Sequence, residues 1–357
     1  MEKSKTRQSN LELLRIISMV SIFVYHYCIH GGILEVGSYT INKLVALFLS
    51  IGGRVGVNIF ILIMGYFMVK SKFKIKRIIK LILQVLFYSI ILAIISVYRL
   101  GANFEVIDIG SYFTPVLTHV YWFVTCYVLV QFLSPFLNKV VINLKQENCK
   151  KLIILNTVIL SIIPTFFSKI NLASTELTWF IHMYIIGAYI REYNFEFKKQ
   201  TTAKMITIGY PIVAYITIII SIILNKYFNL ELDIIHYLGL YSFIGLIGSV
   251  GIFIFFKNIS IKENKIINFF AKTSFVTYLI SDHVLYRDIF WSLDLKTQEF
   301  EQLEVYKFIG HIVISVIAIY VVASIIEIIR IKLIEEPIFK IKVFDKYFDK
   351  LDNWMNI

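Results

Sequence analysis

The amino-acid sequence predicts an all-α, polytopic helical membrane protein with about ten transmembrane helices and both termini in the cytoplasm. Hydrophobic residues make up 58% of the 357 residues, charged residues make up only 17%, and the mean hydropathy is +0.74. Apolar runs this long and frequent cannot all be buried in one soluble core. The composition therefore excludes a soluble globular domain.

Ten apolar segments have roughly the length needed to cross a bilayer. Their centres lie near Ile22, Ile59, Leu86, Leu129, Ile159, Ile185, Tyr215, Leu246, Tyr278 and Ile319. With the N-terminus in the cytoplasm, the six inside stretches carry 26 of the 36 Lys and Arg residues, and the five outer loops carry 7. Because cytoplasmic loops are enriched in Lys and Arg, this distribution supports the predicted orientation. It also explains the net charge of +12 without a nucleic-acid partner.

The sequence predicts one transmembrane domain over residues 1–335 and a cytoplasmic interfacial tail over residues 336–357. The tail alternates aromatic and charged residues, a pattern typical of an amphipathic helix that lies in the membrane interface. Six Lys and Arg residues lie between residues 70 and 80. We expect this basic stretch to face anionic headgroups, or to meet the phosphates of a cytoplasmic cofactor.

The sequence contains three cysteines, Cys28, Cys126 and Cys149. They are too few and too scattered for a disulfide framework or a metal cluster. We interpret them as packing residues, and we expect no metal.

The first apolar segment carries an arginine and a histidine where lipid tolerates neither. Arg15 and His26 are eleven residues apart. At about 100° per residue they point in nearly the same direction. Glu12 lies three residues before Arg15 and can pair with it. Ionisable residues inside a membrane indicate a functional site. The alternative interpretation is structural: the Arg15 side chain reaches the membrane interface, and His26 forms a hydrogen bond with a backbone carbonyl.

The second apolar segment repeats this pattern. Arg54 and Asn58 lie four residues apart, on one helical face. They indicate a second part of the site, although an interfacial arginine beside small-residue packing is the alternative. Four glycines of this segment are predicted to allow close helix contact: Gly52, Gly53, Gly56 and Gly65.

Polar and aromatic residues also lie near the predicted outer ends of later segments. Trp122 fits an aromatic belt residue or a sugar-stacking platform. Trp179 and His182 are predicted to be belt residues. Asp282 and His283 form either an acid/base or acceptor-binding cluster, or an interfacial hydrogen-bond network.

Several stretches resemble the acyltransferase family 3 membrane proteins, which transfer acyl groups, usually acetyl, to extracytoplasmic glycans. The first apolar segment, in which ten residues separate Arg15 from His26, resembles the first-helix signature of that family. The resemblance continues over nearly the whole chain, in LELLRIISMVSIFVYHY, RVGVNIFILIMGYFM, KIKRIIKL, HVYWFVTCYVLVQFLSPFLNK, TSFVTYLISDHVLYRDIFW and IEEPIFK. The chain departs from the family at Asn58, Met64 and Ser281, where an acid, a serine and a histidine are frequent.

The resemblance implies an O-acyltransferase of the bacterial cytoplasmic membrane that moves an acetyl or similar acyl group. Its donor would be acetyl-CoA from the cytoplasm, and its acceptor a hydroxyl of a cell-surface or capsular polysaccharide or of a lipid-linked precursor. Membrane lipids are the other expected partners, and nucleic acid is not. The departures leave His26 as the catalytic residue that the resemblance best supports.

The chemistry of acyl transfer suggests roles for these residues. Imidazole titrates near neutral pH, so His26 suits the base that activates the hydroxyl. Arg15 suits a phosphate or carboxylate of the donor, and Arg54 suits the acyl carbonyl or the glycan. We expect the remaining candidates to contact substrate: Glu12, Asn58, Trp122, Asp282 and His283. An acyl-histidine relay is an alternative to direct transfer.

Two other functions fit a chain with many apolar segments. A glycan exporter or flippase would also need polar residues inside the membrane. A scaffold or sensor would not need the stripe that Arg15 and His26 form. Only the acyltransferase requires a thioester donor, and this requirement distinguishes it from both alternatives.

Overall fold

A computed structural model of the chain describes residues 8–35, 37, 39–100, 109–167 and 169–356, and over these residues all regular structure is helical. The predicted all-α fold is confirmed. The α-helices are α1 (Ser9–His30), α2 (Ile41–Ser50), α3 (Gly52–Met68), α4 (Ile75–Leu100), α5 (Ile109–Phe113), α6 (Trp122–Asn143), α7 (Gln146–Thr157), α8 (Ile163–Phe166), α9 (Glu176–Glu192), α10 (Gln200–Phe228), α11 (Phe243–Asn258), α12 (Lys265–Thr273), α13 (Phe275–Ser281), α14 (Thr297–Glu301), α15 (Val305–Arg330), α16 (Glu336–Phe339) and α17 (Lys342–Met355). Shorter turns are π-helical at Val158–Ile162, Ile289–Asp294 and Ile331–Glu335, and 3₁₀-helical at His236–Leu238.

Eight helical segments within the described residues are long and apolar enough to cross a membrane. They are Ser9–His30, Ile41–Met68, Ile75–Leu100, Trp122–Asn143, Gln146–Phe166, Thr201–Phe228, His236–Asn258 and Val305–Phe339. The chain is therefore a polytopic membrane protein. The other two predicted centres, Ile185 and Tyr278, lie in the 17-residue α9 and in α13, which is separated from α12 at Ser274. The count of ten spans and the cytoplasmic termini stay predictions.

The chain forms two compact units. The first unit contains Met1–Tyr25, Leu44–Lys70 and Leu137–Lys272. The second unit contains His26–Lys43, Ser71–Phe136 and Thr273–Ile357. Helix α1 continues from one unit into the other, and the helices of the predicted tail belong to the second unit.

Close backbone contacts of α3 organise the first unit. A Cβ atom built on Gly56 would lie 2.6 Å from the carbonyl oxygen of Ser18 in α1. A Cβ atom built on Gly65 would lie 2.2 Å from the carbonyl oxygen of Tyr184 in α9. Only glycine permits these contacts, because any side chain would push the helices apart. The structure confirms that glycines allow close helix contact at all four predicted positions: Gly52, Gly53, Gly56 and Gly65.

A buried ionic network ends α15 in the second unit. Arg330 is 3% exposed and donates from Nε and Nη2 to the two oxygens of Glu327, both at 2.8 Å. The Nη2 atom also donates to Glu335 at 2.7 Å. Gln84 and Tyr88 of α4 donate to the same Glu327 carboxylate, at 2.9 and 3.1 Å. Such a network is stable only because every charged group has a partner.

Lysines of the basic stretch between residues 70 and 80 pair with carboxylates of the C-terminal helices. The sequence predicted that this stretch faces anionic headgroups or the phosphates of a cofactor. Three of its lysines contact the chain's own acidic residues, and two of these pairs hold the tail against the start of α4; contact of the stretch with headgroups or phosphates stays a prediction. The pairs are Lys74 with Asp352 at 3.0 Å, Lys76 with Asp345 at 3.2 Å and Lys80 with Glu335 at 2.8 Å.

Candidate active site

The last turns of α1 bring two histidines to a carboxylate in the second unit. His26 and His30 are four residues apart on one helical face, and their ring centroids lie 5.0 Å apart. Asp282 follows α13, and its Oδ1 lies 3.3 Å from His30 Nε2. One nitrogen or oxygen atom from each of the three side chains lies within 4.8 Å of the others. We call these three residues the His–Asp cluster.

Ser281 orients the His26 ring. Its Oγ lies 3.2 Å from His26 Nδ1 and donates to the carbonyl oxygen of Tyr278 at 3.3 Å. We assign the hydroxyl proton to that carbonyl, and with this assignment the oxygen accepts from the Nδ1–H group of His26. This tautomer puts the lone pair of the imidazole on Nε2, the nitrogen that can take a proton from a substrate.

Two buried aromatic side chains fix the end of α13 that carries the cluster. The hydroxyl of Tyr121 donates to the carbonyl oxygen of Leu279 at 2.9 Å, and Trp291 Nε1 donates to that of Ser281 at 3.0 Å. The last carbonyl groups of a helix have no partner within the helix, so these bonds satisfy them inside the protein. They therefore set the position of Ser281 and Asp282.

Aromatic rings border one side of the His–Asp cluster. The ring centroid of Tyr278 lies 6.0 Å from that of His26, and Phe123 packs edge-on against Tyr278 at 5.6 Å. His26 is 7% exposed, whereas 21% of the His30 side chain is exposed. His30 is therefore the more accessible of the two imidazoles.

His283 and Trp122 were predicted to contact substrate. His283 is fully buried, with Nε2 3.1 Å from the carbonyl oxygen of Ser89 and Nδ1 accepting from the N–H group of Tyr286 at 3.2 Å. Nδ1 therefore stabilises the turn after α13, and Nε2 joins that turn to α4. Trp122 is half-buried and is the first residue of α6. A substrate role stays a prediction for both residues.

The predicted arginines belong to the first unit. Arg15 Nη1 donates to Glu12 at 2.9 Å, which confirms the predicted pair. Arg54 Nε donates to the hydroxyl of Tyr25 at 3.2 Å, and its guanidinium lies 5.1 Å from the centre of the Tyr25 ring. Stacking and hydrogen bonding hold this guanidinium in one orientation. Contacts of these residues with substrate stay predictions.

Asn58 lies in a buried polar contact between α3 and α9. It is 1% exposed, and its Oδ1 accepts from Trp179 Nε1 at 2.8 Å. The prediction that Trp179 and His182 are belt residues is wrong, because they are 0% and 1% exposed. Helix α9 is apolar around most of its circumference and buried along most of its length. Its sequence therefore resembles that of a lipid-facing helix, although its neighbours are protein.

The His–Asp cluster has the composition of a divalent-metal site. Two histidines four residues apart on a helix, with a carboxylate from elsewhere, are ligands that Zn²⁺ takes. The spacing of the two histidines is visible in the sequence, but their carboxylate partner is not, because Asp282 is 256 residues from His26. The three cysteines are free and buried, as expected of packing residues.

Four residues that build the site have roles that the sequence did not predict. From the sequence, His30 can line the same vestibule as His26, although the glycines after it indicate a loop edge; Tyr121 fits an aromatic belt, and Ser281 is only a departure from the family pattern. Tyr121 and Trp291 act through hydrogen bonds to carbonyl groups distant in sequence. No periodicity or motif marks such contacts.

The eight apolar helical segments of the described residues define a multi-pass membrane protein, and the first of them carries the buried His26. Residues 8–328 match the model of the acyltransferase 3 family, described as an acyltransferase domain. The match covers α1 through most of α15, so the chain belongs to this family and is a membrane acyltransferase. No curated protein and no solved structure matches the chain.

Proposed function

We propose that the chain transfers an acetyl group from cytoplasmic acetyl-CoA to a hydroxyl of a cell-surface or capsular polysaccharide, or of its lipid-linked precursor, at the bacterial cytoplasmic membrane. The observation that carries this proposal is the buried His26 imidazole, held by Ser281 beside Asp282. Membership of the acyltransferase family favours transfer over the exporter and scaffold alternatives.

His26 acts as the general base. Its Nε2 accepts the proton of the acceptor hydroxyl while the hydroxyl oxygen attacks the thioester carbonyl. The resulting imidazolium lies close to the Asp282 carboxylate, which stabilises the positive charge. When the carbon–sulfur bond breaks, the imidazolium returns the proton to the thiolate. The products are the acetyl ester and the free thiol, and His26 is neutral again.

Two arginines suit the anionic parts of this reaction. A guanidinium binds phosphate through two parallel hydrogen bonds, so we assign Arg15 to the phosphates of the donor. Its pairing with Glu12 keeps it oriented until an anion arrives. We assign Arg54, oriented by Tyr25, to the acyl carbonyl or to the glycan.

The test measures the O-acetyl content of surface polysaccharide by NMR in cells with the wild-type protein, a deletion, His26→Ala or Asp282→Asn at equal membrane abundance. General-base catalysis contributes about 10²–10⁴-fold, so His26→Ala should remove nearly all acetylation. Asp282→Asn should reduce the rate less, because it removes only the charge that stabilises the imidazolium. The polymer itself should still be exported.

His119→Asn provides the matched control. His119 is exposed and has a φ of 61°, a backbone conformation that asparagine tolerates. Acetylation should be unchanged in this variant. Normal acetylation in His26→Ala would contradict the assigned base, and loss of the polymer in the deletion would favour the exporter. Acetyl transfer by purified protein that a chelator abolishes and Zn²⁺ restores would instead make His26 a metal ligand.

A further inference from the structure

The exposed face of α17 is a stripe of large apolar side chains. Phe344, Tyr347, Leu351 and Trp354 are 40%, 63%, 45% and 75% exposed. Their spacing of three, four and three residues places them along one side of the helix. We call these four residues the apolar stripe. An aromatic surface of this kind in water marks a binding face.

The opposite side of α17 is fixed to the protein. The Asp352 carboxylate is 5% exposed, accepts from the backbone N–H of Ile75 at 2.7 Å and pairs with Lys74 at 3.0 Å. Asn356 Oδ1 accepts from the backbone N–H of Phe73 at 2.9 Å. Asp352 thus satisfies the first N–H group of α4, which has no partner within its own helix. These contacts fix the direction in which the apolar stripe points.

The charges of α17 are separated between its two sides. At about 100° per residue, Lys350 lies about 40° and Lys346 about 80° around the helix from Trp354, on the edge of the apolar stripe away from Asp345 and Asp352. Both carboxylates contact lysines at the start of α4, and Lys346 and Lys350 are exposed. The charge next to the stripe is therefore positive.

We propose that the apolar stripe and these two lysines bind the anionic headgroup surface of the membrane. Helix α17 begins three residues after Phe339, the last residue of a segment that is long and apolar enough to cross a membrane, so α17 starts where that segment reaches the membrane surface. That segment exposes large apolar side chains up to Leu333, which is 71% exposed. An interfacial helix typically has large apolar residues such as Trp, Tyr, Phe and Leu on one side, polar residues on the other and lysines at the border. Helix α17 has this composition.

Quenching by brominated lipids tests this proposal in the full-length protein. The chain contains four tryptophans, so the emission of the wild type minus that of Trp354→Phe isolates Trp354. Both proteins are placed in nanodiscs of phosphatidylcholine and phosphatidylglycerol, with bromine either near the headgroup or deep in the acyl chain. The shallow label should quench the Trp354 emission at least about twofold, and more than the deep label does. Equal emission with and without bromine would overturn the proposal.

Charge variants test the preference for anionic lipid. In the wild type, brominated phosphatidylglycerol should quench Trp354 more than brominated phosphatidylcholine does at the same mole fraction. The variant K346Q/K350Q should lose this difference. The matched control K296Q/K307Q removes the same charge from two exposed lysines elsewhere and should keep it. If quenching is the same with anionic and zwitterionic brominated lipid in every variant, the anionic preference is refuted. If Trp354 is not quenched and its emission changes with protein concentration, the apolar stripe binds a second copy of the chain.

Discussion

The contact between α3 and α9 predicts that Gly187→Ala destabilises the protein. A Cβ atom on Gly187 would lie 2.3 Å from the carbonyl oxygen of Leu62, and one on Gly65 would lie 2.2 Å from that of Tyr184. Both obstacles are backbone atoms that cannot rotate away. The two helices would have to separate by roughly 1 Å to restore normal contact distances.

The size of the effect follows from two opposing terms. Overpacking of a tight contact costs about 1–3 kcal/mol, and the backbone location of this clash places it near the upper value. Alanine regains about 1 kcal/mol because it favours the helix more than glycine does. The net loss is therefore about 2 kcal/mol, or about thirtyfold in the unfolding equilibrium.

Gly209→Ala in α10 is the matched control for this measurement. A Cβ atom there has no heavy atom within 4 Å outside its local neighbourhood, so this variant should be neutral or slightly stabilised. Unfolding is followed in the same nanodiscs by heating and by denaturant. If Gly187→Ala is as stable as Gly209→Ala, the close contact between α3 and α9 is wrong.

Two further substitutions test buried polar contacts. Arg330→Gln leaves the Glu327 carboxylate buried without its counter-charge and should destabilise the protein by about 3–5 kcal/mol in denaturant unfolding. The double variant Arg330→Gln with Glu327→Gln should recover part of this loss. If the single and double variants lose the same stability, the pairing is disproved. Trp179→Phe leaves Asn58 Oδ1 buried without its donor and should lower stability by about 1–3 kcal/mol in thermal unfolding. An unchanged midpoint temperature of unfolding would show that water replaces the indole.

Features governed by local sequence could be predicted well. Eight apolar segments, the Glu12–Arg15 pair and the close contacts of the glycines in α3 follow from composition and helical spacing, and the structure confirms them. Each depends on residues within one helix, or on a backbone property that only glycine has. The periodicity of α17 also appears in the sequence, but not which of its sides contacts α4.

Features that depend on distant residues could not be predicted. His26 and Asp282 come together because α13 ends beside α1, and no local pattern records this. The surroundings of α9 are one such feature, because a helix buried in protein and one facing lipid have the same apolar composition. Trp179 consequently received an interfacial role, although its indole bonds to Asn58 inside the first unit.

The π-helical turn Ile331–Glu335 affects how related sequences should be aligned. Its i→i+5 hydrogen bonding places Glu335 almost above Arg330, although five residues separate them, and it widens the helix just before Pro337. Such a turn is an α-helix with one inserted residue. Relatives in which this segment is a regular α-helix should therefore align with a one-residue gap between these positions. In such relatives we expect the acidic partner of the arginine to be one residue closer in the chain, at the spacing of a regular helix.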